Sequence, residues 1–449
     1  MFATTMTLDA LRQFYRGGGS VADVVEAALD RIASGRGPHA WIHVEPRAEL
    51  HERAGELERR HRAGEPLPLF GVPFGVKDNI DAAGMPTTAA CPEFSHVPAR
   101  SARAVEWLSE AGAICIGKTN LDQFATGLNG TRSPYGVCHA IGSARYISGG
   151  SSSGSAVAVA AGHVAFTLGT DTGGSGRIPA GFNGIIGLKP SVGRVSTVGL
   201  VPNCPSIDCV SIFANVIGDA QAVLAAIDRF DPEDPFSRPG DRGGAMPPAE
   251  DFVFGRLAGE DVETFGAPEC RELYETACAR LVATGGQPVE IDFSPFLEAG
   301  RMLFDGPWIA ERAGSLASFL AAHPDAVLPE IASVLAAAKR ITAADVFAAQ
   351  RQLLLLRRRV DGLLTRVATI MVPTAPRPFL IDELRAEPIA ANSRAGYYTH
   401  AANLLDLCAM SVPNAVTASG VDMGITFLGG AWQDESIAAI AARFVAALA

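Results

Sequence analysis

Two serine–glycine runs, Ser148–Ser155 (SGGSSSGS) and Asp171–Gly176 (DTGGSG), are spliced into apolar sequence rather than set in a linker. The first flows directly into an Ala/Val-rich segment, and the second follows a short apolar run. A flexible Gly/Ser spacer has no reason to be embedded in a prospective core. Both runs therefore read as tight connections between buried elements, where glycine lets backbone N–H groups crowd close together. Serine is a poor nucleophile until a base removes its proton, and crowded N–H groups stabilise an oxyanion. Turn chemistry explains either run alone, but not the two together.

A base is available. Of 37 basic residues only Lys77, Lys118, Lys189 and Lys339 are lysines. Arginine is not usefully deprotonated, whereas a desolvated lysine is. Composition bias is the plain explanation for any one lysine. Lys77, in the run GVKDN that ends at Asn79, is the candidate base. With the serines it points to acyl transfer without histidine. A free lysine titrates near 10.4, so work at neutral pH requires a lowering of about 3 units, roughly 4 kcal/mol against the charged form. Asp78 opposes this only if it faces Lys77, and neighbours on a strand point to opposite sides.

Composition narrows the function classes. The chain has 449 residues and 48% hydrophobic content, ample for a large core. Length alone suggests about three domains, a soft prior. Net charge is −11 without a basic block, which argues against nucleic-acid or anionic-membrane partners. The eight cysteines form no C-x-x-C pair and no zinc spacing, so a reduced, cytoplasmic protein without a metal or other cofactor is expected. The first residues lack the basic and apolar regions of a signal peptide, and no apolar stretch is long enough to span a bilayer.

Periodicity predicts two helices over 7–35, the second capped by Ser20, and an exposed helix over 46–63. Strands are expected near 70–76, 113–116 and 164–168, with helices at 102–111 and 155–161. That alternation, through about residue 215, argues for an α/β fold with a mainly parallel sheet. Residues 231–250 read as a surface loop or boundary. Beyond it, strands are expected at 252–254, 288–291, 368–372 and 423–428. Helices are expected at 270–284, along the long periodic stretch 327–366, and at 435–448. Gly112–Thr119 (GAICIGKT) satisfies the P-loop expression, but its apolar β-branched interior predicts strand and turn, not a phosphate cradle.

The motifs as a set resemble the amidase signature family. The matching pieces are Gly71–Asn79 (GVPFGVKDN), Gly117–Phe124 (GKTNLDQF), Ser148–Ser155, Gly169–Pro179 (GTDTGGSGRIP) and Gly187–Pro190 (GLKP). Ser153 stands where the family commonly has glycine. The resemblance implies one α/β/α sandwich domain over 1–449 with a mixed, mainly parallel central sheet. It implies Lys77 as base, Ser151 as bridging serine after a cis peptide, and Ser175 as acylating nucleophile. It also implies an oxyanion hole from the N–H groups of Thr172, Gly173, Gly174 and Ser175, with Asp171 and Arg177 bracing the loop.

Three further stretches resemble the allophanate-hydrolysing branch of that family: Gly127–Gly136 (GLNGTRSPYG), Ser206–Phe213 (SIDCVSIF) and Leu303–Arg312 (LFDGPWIAER). That branch implies a tyrosine and an arginine contacting a substrate carboxylate. Arg312 fits the arginine, and Phe304 stands in place of the tyrosine. Asn129 is a further candidate contact. A guanidinium suits bidentate carboxylate recognition, although Arg312 has the plainer reading of pairing with Glu311 or a surface acid. The expected substrate is a small molecule bearing a carboxylate and an amide, with ammonia released from allophanate. Another amidase, a glutaminase subunit for misacylated tRNA, or a non-catalytic scaffold are the alternatives. Family precedent favours a homodimer. The C-terminal domain of full-length relatives is expected to be absent.

Overall fold

The computed structural model describes residues 6–240, 250–304 and 306–448. In chain order the strands are β1 (Trp41–Val44), β2 (Pro73–Lys77), β3 (Ile114–Thr119), β4 (His139–Ala140), β5 (Ser143–Ile147), β6 (Phe166–Asp171) and β7 (Ile186–Lys189). There follow β8 (Cys209–Ala214), β9 (Phe252–Arg256), β10 (Gly286–Glu290), β11 (Thr369–Pro373), β12 (Leu407–Val416) and β13 (Asp422–Gly430). β4 and β5 pair with each other, and the rest form one 11-stranded sheet in the order β1-β3-β2-β6-β8-β7-β12-β13-β11-β9-β10.

The sheet is mixed, and helices flank it as the alternation of elements predicts. Parallel pairing is confined to two flanks, β3-β2-β6 and β11-β9-β10. Between them β6, β8, β7, β12, β13 and β11 pair antiparallel. The parallel character expected from the alternation therefore does not extend across the middle. There β8 runs opposite to both β6 and β7, and the long β12–β13 hairpin fills the interval between β7 and β11. The P-loop-like segment is indeed strand, β3.

The N-terminal helices are Leu8–Arg16 and Val21–Ala33, and Ser20 caps the second in a capping box with Asp23. The periodic stretch 327–366 is not one helix. It divides into Pro329–Ala336, a 3-10 turn Ala337–Arg340, and Ala343–Leu364. Thr342 and Asp345 form a second capping box that starts the last of these afresh. Of the expected loop 231–250, residues 231–240 contain no helix or strand, and 241–249 lie outside the described residues. Apolar side chains on both faces of the sheet form the core, with Phe74 and Phe166 stacked at 5.1 Å between ring centroids.

Candidate active site

Lys77 ends β2 and Asp171 ends β6, two strands that run parallel side by side. Their carboxyl ends open onto one edge of the sheet, the usual place for a site in such folds. The second serine arrives from the loop before the helix Ser153–Ala160, after a cis Gly150–Ser151 peptide. That helix seats flush on its neighbours because Gly154 has no side chain. A Cβ there would lie 2.2 Å from the Ala40 carbonyl oxygen.

These elements bring the three sequence candidates together. Lys77 Nζ lies 2.8 Å from Ser151 Oγ, and Ser151 Oγ lies 3.0 Å from Ser175 Oγ. Lys77 and Ser151 are fully buried and Ser175 is 4% exposed. Burial lowers the Lys77 ammonium from the ordinary lysine range to about 7, opposed by the carboxylates of Asp122, Asp208 and Asp171. Asp78 turns to the opposite face. There Lys118 Nζ stands 3.3 Å from its Oδ1 and the Thr88 N–H donates to its Oδ2 at 2.9 Å. Sequence reasoning missed Thr170, whose hydroxyl receives a Lys77 N–H at 2.7 Å. Its position one residue before Asp171 on β6 was the available signal.

The loop carrying Ser175 hangs on one buried ion pair. Arg177 donates through Nε and Nη2 to the two oxygens of Asp171, each at 2.9 Å, with both side chains fully buried. Burial pushes the Asp171 carboxyl up, but Arg177 and the loop N–H donors outweigh it and hold it below the usual range. Asp171 also accepts the N–H of Gly174 at 2.8 Å and of Gly176 at 2.9 Å. Of the four N–H groups expected at the oxyanion hole, that of Gly174 thus points to a carboxylate. The N–H groups of Thr172, Gly173 and Ser175 have no protein acceptor among the described residues.

The expected substrate contacts differ in placement. Arg312 is 2% exposed and pairs with no acid among the described residues. Glu311 instead accepts the N–H and hydroxyl of Ser206 at 2.9 and 2.8 Å. Arg312 Nε donates to Asn203 Oδ1 at 2.9 Å, while Nη1 has no partner among the described residues. Phe304 lies between this guanidinium and the nucleophile loop. Its ring centroid is 5.3 Å from the Arg312 guanidinium carbon, and its edge is 3.6 Å from where a Cβ on Gly173 would sit.

Asn129, the further candidate contact, is tied into the surrounding protein. Its Oδ1 accepts the Thr131 N–H and hydroxyl, and its Nδ2 donates to Asn392 Oδ1 at 2.8 Å. His400, which no motif singled out, packs its ring tilted by 40° against Phe304, 4.2 Å between centroids. Burial, with Arg177 and Arg312 nearby, drives its imidazole down to about 3, so it is neutral. No group of three or more His, Cys, Asp and Glu among the described residues could hold a metal ion. No helix among them is long and apolar enough to cross a membrane.

A lysine poised to lose its proton, two serines in hydrogen-bond contact and a cluster of unpaired N–H groups together suit nucleophilic attack on a carbonyl. Urea amidolyase of Saccharomyces cerevisiae is 40% identical over 96% of this chain, which spans 24% of that protein. Urea amidolyase of Lachancea kluyveri is 41% identical over 90%, and the chain spans 22% of it. A glutamyl-tRNA(Gln) amidotransferase subunit of Synechococcus sp. (strain CC9605) is 32% identical, covering 98% of this chain and 96% of that one. The Kluyveromyces lactis allophanate hydrolase structure superimposes with a TM-score of 0.94 at 39% identity, covering 99% of this chain and 73% of that one. Residues 23–438 match the amidase family profile, and the chain belongs to the amidase signature family.

Proposed function

We propose that this chain hydrolyses the terminal amide of allophanate, a step in urea breakdown, through an acyl-enzyme on Ser175. The observation that carries the reading is the unbroken Lys77–Ser151–Ser175 hydrogen-bond chain beneath a loop with three N–H groups that have no acceptor among the described residues. Neutral Lys77 accepts the Ser151 proton while Ser151 accepts that of Ser175, and Ser175 Oγ bonds to the carbonyl carbon. The oxyanion is met by the N–H groups of Thr172, Gly173 and Ser175. Reversal of the relay protonates the departing nitrogen, and ammonia leaves. Water, deprotonated by the same route, then cleaves the ester. The products are ammonia and N-carboxycarbamate.

Arg312 supports the choice of substrate. A buried guanidinium with one unpartnered nitrogen is costly unless an anion completes it, and allophanate brings a carboxylate. Phe304 supplies an apolar wall where a tyrosine would add a hydroxyl.

Ser175→Ala is expected to cut ammonia release by about 10³-fold or more while leaving the melting temperature nearly unchanged. Retained turnover removes Ser175 from its role. Arg312→Ala is expected to raise KM for allophanate by roughly tenfold or more, and to leave KM for biuret, its neutral near-isostere, little changed. Equal effects on both would remove the carboxylate argument. A glutamine-hydrolysing role is the second reading, favoured by the end-to-end match to the amidotransferase protein. Ammonia release from glutamine and not from allophanate by the isolated chain would favour it.

A further inference from the structure

Asp208 is a buried carboxylate that the relay does not use. It sits immediately before β8 and is 5% exposed. Its two oxygens serve different parts of the pocket. Oδ1 accepts the Thr172 hydroxyl at 2.5 Å. Oδ2 accepts the main-chain N–H groups of Asn203 at 2.8 Å and Cys204 at 3.0 Å.

Each contact leads to one end of the candidate substrate site. Thr172 opens the loop that carries Ser175, and its own N–H is one of the three left without an acceptor. The Asn203 side chain takes the Arg312 Nε–H, and its amide nitrogen is tied to Phe124 O and Thr126 Oγ1, each at 3.1 Å. The path Thr172–Asp208–Asn203–Arg312 thus runs without a gap from the oxyanion loop to the buried guanidinium. Asp208 differs from Asp171 in making no ion-pair contact among the described residues, its pull on Lys77 acting only at longer range. Three hydrogen bonds alone hold a costly buried anion, and burial pushes its carboxyl up to about 6. A carboxylate is suited to the place because both oxygens accept at once, whereas an amide offers one acceptor and one donor.

We propose that Asp208 is a positioning residue that couples carboxylate recognition at Arg312 to the oxyanion loop at Thr172, so that an anionic amide is processed faster than its neutral isostere. The inference rests on the proposed reading of Ser175 as nucleophile and Arg312 as carboxylate site. Its physical basis is the contiguous hydrogen-bond network Thr172–Asp208–Asn203–Arg312, the kind of connection that can carry coupling between two sites.

The test cuts the path at Thr172, which is not in contact with the guanidinium. The ratio of kcat/KM for allophanate to that for biuret is measured in the wild type, Thr172→Val, Thr172→Ser, Arg312→Ala and the Thr172→Val/Arg312→Ala double variant. The ratio is expected to fall at least fivefold in Thr172→Val and to be restored in Thr172→Ser, which keeps the hydroxyl. The double variant is expected to have the ratio of Arg312→Ala alone. If Thr172→Val slows both amides equally and leaves the ratio intact, or if Thr172→Ser fails to restore it, the coupling is overturned. A wild-type protein that hydrolyses neither amide defeats the proposed function itself, which is a different result from uniform slowing.

Discussion

In the proposed relay Lys77 has to be neutral when Ser151 hands over its proton, and its surroundings are balanced to allow that. Full burial favours the amine, while Asp122, Asp208 and Asp171 pull the other way, leaving it to titrate near 7. The sign for activity follows. Below that pH the ammonium has no lone pair to offer, so kcat/KM should rise with pH through an acidic limb centred near 7. Lys77→Met should abolish turnover at every pH. Asp122→Asn removes the first of the three opposing anions, which disfavours the ammonium further and should move the limb to lower pH. An unmoved limb would mean that Asp122 only holds its loop, through the N–H groups of Asn129, Gly130 and Arg132. Lys77 stood out in the chain as one of only four lysines, set in a glycine-containing run, whereas Ser151 and Ser175 were singled out from their serine–glycine runs by resemblance to the family motifs. The neutrality of Lys77 was not legible, since desolvation depends on every segment that packs over it.

The loop that carries Ser175 shows what an element adds to its residues. Asp171 at the end of β6 clamps the N–H groups of Gly174 and Gly176 and is itself clamped by Arg177, so the loop turns around a single carboxylate. Gly174 adopts φ +135°, and a Cβ there would stand 2.3 Å from Thr399 Oγ1. Removing one partner of such a buried pair strands the other charge. Arg177→Met is therefore expected to destabilise the protein by about 3–5 kcal/mol, read as a lower urea midpoint. A midpoint shift equivalent to under about 1 kcal/mol would mean the pair is not holding the loop. The bracing roles of Asp171 and Arg177 follow from motif resemblance, but the commitment of Gly174 N–H does not. A hydrogen bond three residues back along the chain depends on loop curvature, which residue types do not specify.

At the scale of the molecule, the site is assembled from both ends of the chain. Arg177 Nη1 donates to Thr399 O at 3.0 Å, and Asn403 Nδ2 donates to Asp171 O at 2.7 Å, more than 200 positions away. One sheet carries strands from Trp41 to Gly430. We propose that the chain behaves as a single domain. Urea unfolding should then give coincident transitions by far-UV circular dichroism and by fluorescence of its four tryptophans. Two separated transitions would divide it. The chain alone determined the local elements and the chemistry-bearing residues, because helical and strand periods, caps and glycine turns act over a few positions. Only the tertiary structure decided that the middle of the sheet is antiparallel, that Asn129 bonds to Thr131 and Asn392, and that Arg312 is buried with no acid paired to it among the described residues. Strand pairing and burial are sums over contacts between segments far apart in sequence, and no local pattern encodes those sums.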